Sequence, residues 1–331
     1  MFERLQIARD IATETEEPIG IEFGQVDFNV EPHGFGRYKY RLRDAFGVIG
    51  ISPSDKLPTV RIQPKSEFLH RAGVEEVVRF YRRVIEREMG DVLLNASRLD
   101  LYVDTQGWAP RIDERNKFVR RASGVSAYED NDEFNGLTFG KRSTNTVYAR
   151  IYNKTVEIDK KKDYYVEQVW GGKYERSLPV IRTEFQIGRA GLKAYGISSV
   201  EEALACASGL WVGLTEHWLS LRQVTTDSNR SRWPVAPEWA VIQKASLGAG
   251  AIGLQRMAAD HRNADLDAIL PGLVGFVSSA AAITGSRSLD DALSTCQHLI
   301  RGYTNSRKKS FEEIVARKLG ERSFVIPEDL Q

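Results

Sequence analysis

The stretch GLTFGKRSTNTVYARIYNK, residues 136–154, decides the fold class. Gly136 and Gly140 bracket a short apolar strand, and Lys141 and Arg142 then open a turn of Ser, Thr and Asn. Beyond the turn, strict alternation puts Tyr148, Arg150, Tyr152 and Lys154 on one face of a strand, with Val147, Ala149 and Ile151 on the other. The same period of two recurs at 26–30, 38–42, 59–63, 99–104 and 180–187, bounded by Gly, Pro, Asn and Asp. Strands at this frequency predict an antiparallel sheet over about residues 20–189. A helix interrupts them at 74–89, where Val74, Val77, Val78, Tyr81, Val84 and Ile85 share a face and Gly90 stops it. A second helix is expected at 112–121.

From residue 198 the apolar spacing becomes helical. Ser199 with Glu202 reads as a capping box, and Ser310 with Glu313 as another, ahead of a helix over 311–319 that Gly320 ends. Further helices are expected at 239–247, 266–283 and 289–301, and the polar QVTTDSNRSRWP, residues 223–234, reads as a linker. The expected organisation is therefore an α+β domain over 18–195, a central antiparallel sheet flanked by helices, followed by an all-helical region over 196–331.

Composition narrows the classes. With 42% hydrophobic and 27% charged residues the chain is globular rather than disordered. Cys206 and Cys296 lie far apart, with no CxxC, so a zinc ribbon is excluded and a cytoplasmic setting is the expectation. Glu3 and Arg4 argue against a secretory signal. The most apolar segment, 268–283, is too short for a span of ~20 residues and holds Pro271, so it reads as a buried helix rather than a membrane helix. A net charge of +1 rules out a uniformly basic surface but permits a local basic patch. There is no Walker A sequence and no local histidine pairing of the metal-binding kind.

Three stretches carry residues suited to chemistry. In SRLDLYVDT, 97–105, Arg98, Asp100, Tyr102 and Asp104 share a strand face. Asp100 and Asp104 lie ~13 Å apart along an extended strand, too far to bind one cation together directly. Their oxygens suit Mg²⁺ or Mn²⁺, or else simply line a solvent-facing edge. In RTEFQIGR, 182–189, Arg182, Glu184 and Gln186 share a face, so Glu184 is either a further oxygen ligand or half of a cross-strand ion pair. Third, from Lys141 to Asp163 there are seven Lys and Arg against three acids. Cations interleaved with tyrosines suit single-stranded nucleic acid, and a tyrosine among cations has a phenol biased towards the nucleophilic phenolate. The basic RIDERNKFVRR, 111–121, is either a solvated helix face or a second DNA contact.

Taken in order, RLDLYVD (98–104), GLTFGKRSTNTVYARIYNK (136–154), Trp170, RTEFQIGR (182–189) and RWPVAPEW (232–239) resemble the Rep_trans-type rolling-circle replication initiation factors and related relaxases. These are similar to HUH endonucleases. The resemblance implies a metal-dependent DNA nickase and strand transferase of a plasmid, phage or integrative element. A tyrosine would attack the origin strand, leaving a 5′-phosphotyrosyl enzyme and a free 3′-OH. It implies Tyr152, in the matching RIYNK, as nucleophile, with Tyr148, Tyr164 and Tyr165 as alternatives. Because the paired-histidine motif is missing, it implies Asp100 and Glu184, with Asp104 further along the strand, as ligands of Mg²⁺ or Mn²⁺. Phosphates would be held by Lys141, Arg142, Arg150, Lys154 and Arg182. Origin DNA is the implied partner, with a host helicase and a second copy of the chain as further ones and no membrane. A conjugative relaxase and a non-catalytic origin-binding module are the competing readings.

Overall fold

A computed structural model describes residues 1–130, 133–245, 247, 255–256, 270–306 and 310–313. Contacts divide the chain into two units, residues 1–169 with 177–258, and residues 170–176 with 259–331.

The first unit opens with α1 (Phe2–Thr15) and a five-stranded meander, β1 (Ile19–Phe23), β2 (Val26–Val30), β3 (Tyr40–Arg43), β4 (Gly47–Ile51) and β5 (Val60–Pro64). α2 (Ser66–Ala72) follows, and Gly73, at φ 81°, turns the chain into α3 (Val74–Met89). Most of the expected apolar stripe of α3 is buried: Val77, Tyr81, Val84 and Ile85 join Leu5, Phe23, Phe28, Leu42 and Ile49 in one core, whereas Val74 is exposed.

A second sheet follows: β6 (Arg98–Gln106), β7 (Phe118–Arg120), which lies apart from it, β8 (Val125–Asp130), β9 (Glu133–Phe139), β10 (Val147–Asn153), then α4 (Lys154–Lys161), α5 (Tyr165–Trp170) and β11 (Ile181–Gly188). Further on come α6 (Arg189–Ala194), α7 (Val200–Ala205), α8 (Ala207–Gly213), β12 (Leu219–Leu221), α9 (Pro237–Gln243) and β13 (Gln255–Arg256). The six strands run in the order β13-β6-β11-β10-β9-β8, all antiparallel save the short parallel β13, while β12 pairs with β7. The fold is thus α+β, with antiparallel sheets flanked by helices. The inward face of the second sheet, with Val103, Leu137, Phe139, Ala149, Ile151, Phe185 and Ile187, packs on Trp211, Leu214 and Trp239 to make the larger core. The strands carrying Asp100, Tyr152 and Glu184 are neighbours in this one sheet, as the shared periodicity predicts.

In the second unit α10 (Leu270–Thr284) packs on α11 (Leu289–Ser306), with Val277 and Ala292 buried.

Four expectations need correction. Residues 112–121 form no α-helix: a 3-10 turn at Ile112–Lys117 runs into β7, because Phe118 is drawn into the core against Phe139 and Trp239. Residues 223–234 are not a linker but a closed loop: Gln223 N–H donates to Pro234 O at 2.9 Å, Ala236 N–H to Leu221 O at 3.0 Å, and Arg222 bridges Val235. Lys154 does not end β10; Asn153 accepts from Val156 N–H at 3.2 Å and caps α4, of which Lys154 is the first residue. Finally, α10 is largely exposed rather than buried, Leu273, Val274, Phe276 and Ile283 all facing outward. Both capping boxes are present, at Ser199 with Glu202 and Ser310 with Glu313. Residues 266–269 and 314–320 lie outside the described residues. No described helix is long and apolar enough to cross a membrane.

Candidate active site

Register assembles the site. On the outward face of the second sheet three cross-strand rows lie side by side: Asp100, Gln186 and Tyr148; then Tyr102, Glu184, Arg150 and Thr138; then Asp104, Arg182, Tyr152 and Gly136. The last row has a glycine beside Tyr152 for a steric reason. A Cβ on Gly136 would come within 3.1 Å of the Tyr152 Cβ and of Ile151 O. The missing side chain leaves that space to the tyrosine.

Within this array the charges are paired. Arg150 Nη2 donates to both oxygens of Glu184 at 2.8 Å, and the Tyr152 hydroxyl donates to Glu184 Oε2 at 3.2 Å. Arg182 grips Asp104 with two hydrogen bonds, Nε to Oδ1 at 2.6 Å and Nη2 to Oδ2 at 2.7 Å, and lies 3.7 Å over the Tyr102 ring. Both members of that pair are buried. Lys154, also buried, binds Glu157 at 2.5 Å. Burial alone would raise the Glu157 carboxyl, but hydrogen bonds from Lys154 and Lys161 outweigh it and hold it at about 2.

Burial also governs Tyr152. It pushes the phenol well above its ordinary range; Arg182 pulls the other way, Glu184 adds to the rise, and the net shift is upward. The expectation that Arg150 and Lys154 would bias this tyrosine towards the phenolate is reversed, since each cation is already committed to a carboxylate and the hydroxyl is largely withdrawn from water. The hydroxyl is therefore a neutral donor with Glu184 as its acceptor.

For a cation, the two sides of the face differ. Asp104 has both oxygens engaged by Arg182 and offers no free donor. Asp100 retains about a third of its side-chain exposure and is bound by Arg98 at 3.0 Å. Its carboxyl is raised, by burial first and also by the negative charge of Glu184, against the pull of Arg98. Glu184 is engaged by Arg150 as fully as Asp104 is by Arg182, so a Mg²⁺ or Mn²⁺ shared by Asp100 and Glu184 would have to displace that pair. Among the described residues no group of three or more Asp, Glu, His or Cys clusters as a ready-made cage.

Of the five expected phosphate contacts, Lys141 and Arg142 are exposed. They sit on a turn fixed by Asn145 in the left-handed conformation, whose side chain accepts from Arg189 N–H at 3.1 Å. Arg142 lies 5.0 Å over the Tyr148 ring. Arg150 is partly exposed, whereas Lys154 and Arg182 are sealed in their ion pairs.

Two further contacts come from a distant helix, α2, where the sequence left His70 open between a site residue brought in by the fold and a turn residue ahead of a helix. His70 on α2 shares a 2.9 Å hydrogen bond with the Tyr102 hydroxyl, and Ser66 shares one of 2.5 Å with Tyr165. Burial, with the positive charge of Arg182, lowers His70 to about 4, while burial pushes Tyr102 up to about 12. Tyr164 is exposed. Nothing local in HRAG signals this contact; only the fold brings α2 to β6.

His70 gives a pH prediction. Between pH 6.5 and about 4 the unfolded chain takes up a proton at this ring that the folded chain refuses. That contribution to stability is complete above pH 6.5 and is lost as the pH falls through the window. The melting temperature should therefore be lower at pH 5 than at pH 7, and His70→Gln should shrink the difference. An undiminished difference in the variant would assign the effect elsewhere.

No family model matches the sequence, and no curated protein does. Among solved structures there is a similar one. It is a rolling circle replication initiator protein from Geobacillus stearothermophilus, at TM-score 0.44 and 16% identity, over 68% of this chain and 84% of that one. A likeness this distant assigns no residue a role.

Proposed function

We propose that the chain nicks and rejoins single-stranded DNA at the origin of a mobile element, as a rolling-circle replication initiator. The observation that supports this reading best is the Tyr152 hydroxyl held on the Glu184 carboxylate beside Arg150, in the row next to Asp100, on a face bordered by the exposed Lys141 and Arg142. The ordered motifs that resemble the Rep_trans initiators converge on the same residues.

In this reading Tyr152 Oη attacks the scissile phosphorus and its proton passes to Glu184. The phosphorus–oxygen bond to the 3′ side breaks, and water protonates the departing 3′-oxygen. The product is a 5′-phosphotyrosyl link and a free 3′-OH, so the bond energy is kept for rejoining by the reverse steps. Arg150 supplies fixed positive charge where the transition state gathers negative charge. Asp100, joined by Glu184 only where Arg150 releases it, would hold Mg²⁺ or Mn²⁺, which when bound supplies Lewis-acid polarisation of the phosphate. Lys141 and Arg142 meet neighbouring phosphates, and Tyr148 offers a ring for a base.

A second reading, a DNA-binding module without chemistry, draws on the engagement of Glu184 by Arg150. Nicking of a supercoiled origin plasmid with Mn²⁺ separates the two. Asp100→Asn and Glu184→Gln should each lose nicking by on the order of 10²-fold or more while still binding DNA. Full nicking by both variants would overturn the assignment of these carboxylates.

A further inference from the structure

Away from the tyrosine face lies a feature that the nicking chemistry does not use. An open groove of about 750 Å³ runs between β7 and the loop at 228–231, lined by Arg120, Ser123, Ser228, Asn229, Arg230 and Ser231. No acidic residue lines it among the described residues.

The groove is built rather than incidental. Its loop wall is closed at the base by the Arg222–Val235 bridge and braced by Trp233 Nε1, which donates to Asp227 O at 2.6 Å. Arg230 Nη1 donates to Asn116 O at 2.6 Å, tying the loop to the segment ahead of β7. In the segment ahead of β7, Arg111 pairs with Asp113 and Lys117 with Glu114. This leaves Arg115, Arg120 and Arg121 without an acidic partner among the described residues, and all three are exposed. Of these three, Arg120 lines the groove, and Arg115 and Arg121 lie near it in sequence.

The lining also says what kind of ligand fits. Arginines with serine hydroxyls and an asparagine amide are the side chains that hold phosphate and sugar oxygens. A single strand calls for exposed flat rings as well, and the one aromatic lining residue, Phe118, is buried in the core. Backbone contact without stacking is the chemistry of a duplex.

Position supports the same partner. Ser123 is followed by Gly124, whose carbonyl accepts from Gly140 N–H at 2.9 Å, and Gly140 leads into Lys141 and Arg142. The groove thus joins, through one turn, the exposed cations that border the tyrosine face. We propose that this groove binds the phosphate backbone of duplex DNA flanking the single-stranded segment on the tyrosine face. The proposal rests on reading the chain as an initiator of DNA nicking, and extends it to a second binding region.

Fluorescence anisotropy on the full chain tests it with two probes, a blunt mixed-sequence duplex and a single-stranded oligothymidylate. Arg120→Glu with Arg230→Gln should weaken duplex binding by about tenfold or more, and flatten its log–log salt dependence by about 1.8, at ~0.9 for each phosphate that is no longer neutralised. Oligothymidylate binding should stay unchanged. Because Arg230 also braces its loop, Arg120→Glu alone serves as the variant without a structural bond to lose; it should give part of the same duplex-specific loss. Unchanged duplex affinity and slope in both variants would overturn the proposal, and so would equal losses for both probes. A parent protein that binds duplex through these arginines but never forms a covalent adduct would leave the groove standing and remove the nicking reading.

Discussion

Tyr152→Phe is expected to abolish covalent attachment to DNA and to lower nicking by at least ~10³-fold, as loss of an attacking group does in other enzymes. The change removes one oxygen from a ring packed against Gly136 and Arg150, whose guanidinium lies 4.7 Å from the ring centre. Glu184 loses the tyrosine's hydrogen bond but keeps both from Arg150, so the stability cost should stay near ~1 kcal/mol. DNA binding should survive, since Lys141 and Arg142 are untouched. Tyr148→Phe is the matched control. It shares the face, yet its place opposite Gln186 gives it no carboxylate directly across from it, and it should retain nicking. Loss of nicking in Tyr148→Phe with retention in Tyr152→Phe would exchange the two roles.

The largest effect on stability is expected at Asp104. Arg182 is buried with Asp104 as its bidentate partner, and although burial works against its charge, Asp104 outweighs burial and keeps the guanidinium protonated. Asp104→Ala leaves that charge in a low-dielectric site, at a cost of about 3–5 kcal/mol. For a unit of this size the melting temperature should fall by on the order of 10 °C. Replacing both partners together, Asp104→Leu with Arg182→Met, should cost much less, because no orphaned charge remains. Calorimetry of the single and double variants decides this. A single variant that melts like the parent would show that the pair does not stabilise the sheet.

How much of this was legible in the sequence follows from what is local. Period-two alternation placed 26–30 and 147–152 on strands and showed which side chains share a face, because side-chain direction in a strand is a nearest-neighbour property. The face of Asp100, Tyr102 and Asp104, and that of Arg182, Glu184 and Gln186, were readable for the same reason. Which carboxylate meets which cation was not. Asp104 meets Arg182 and Glu184 meets Arg150 only through the register between β6, β11 and β10, and a shift of two residues would exchange partners while keeping the same faces. His70 joins the site across more than thirty residues of chain, and Phe118 turns an expected helix into a strand by tertiary packing. The start of α4 was locally readable, since Asn153 ahead of KTVE is a cap signal, but the alternation running up to Lys154 hid it.

In the proposed reaction Tyr152 forms a covalent bond to DNA. Incubating the protein with an origin-derived single strand and Mn²⁺, then digesting the trapped complex with trypsin, tests it directly. Cleavage after Arg150 and Lys154 isolates residues 151–154, Ile-Tyr-Asn-Lys, with Tyr152 as the one tyrosine. The DNA-linked peptide should be this one, or a missed-cleavage product containing it, with the bond on Tyr152. A DNA link on Tyr148, Tyr164 or Tyr165, or no covalent complex with a strand that the protein demonstrably binds, would contradict it.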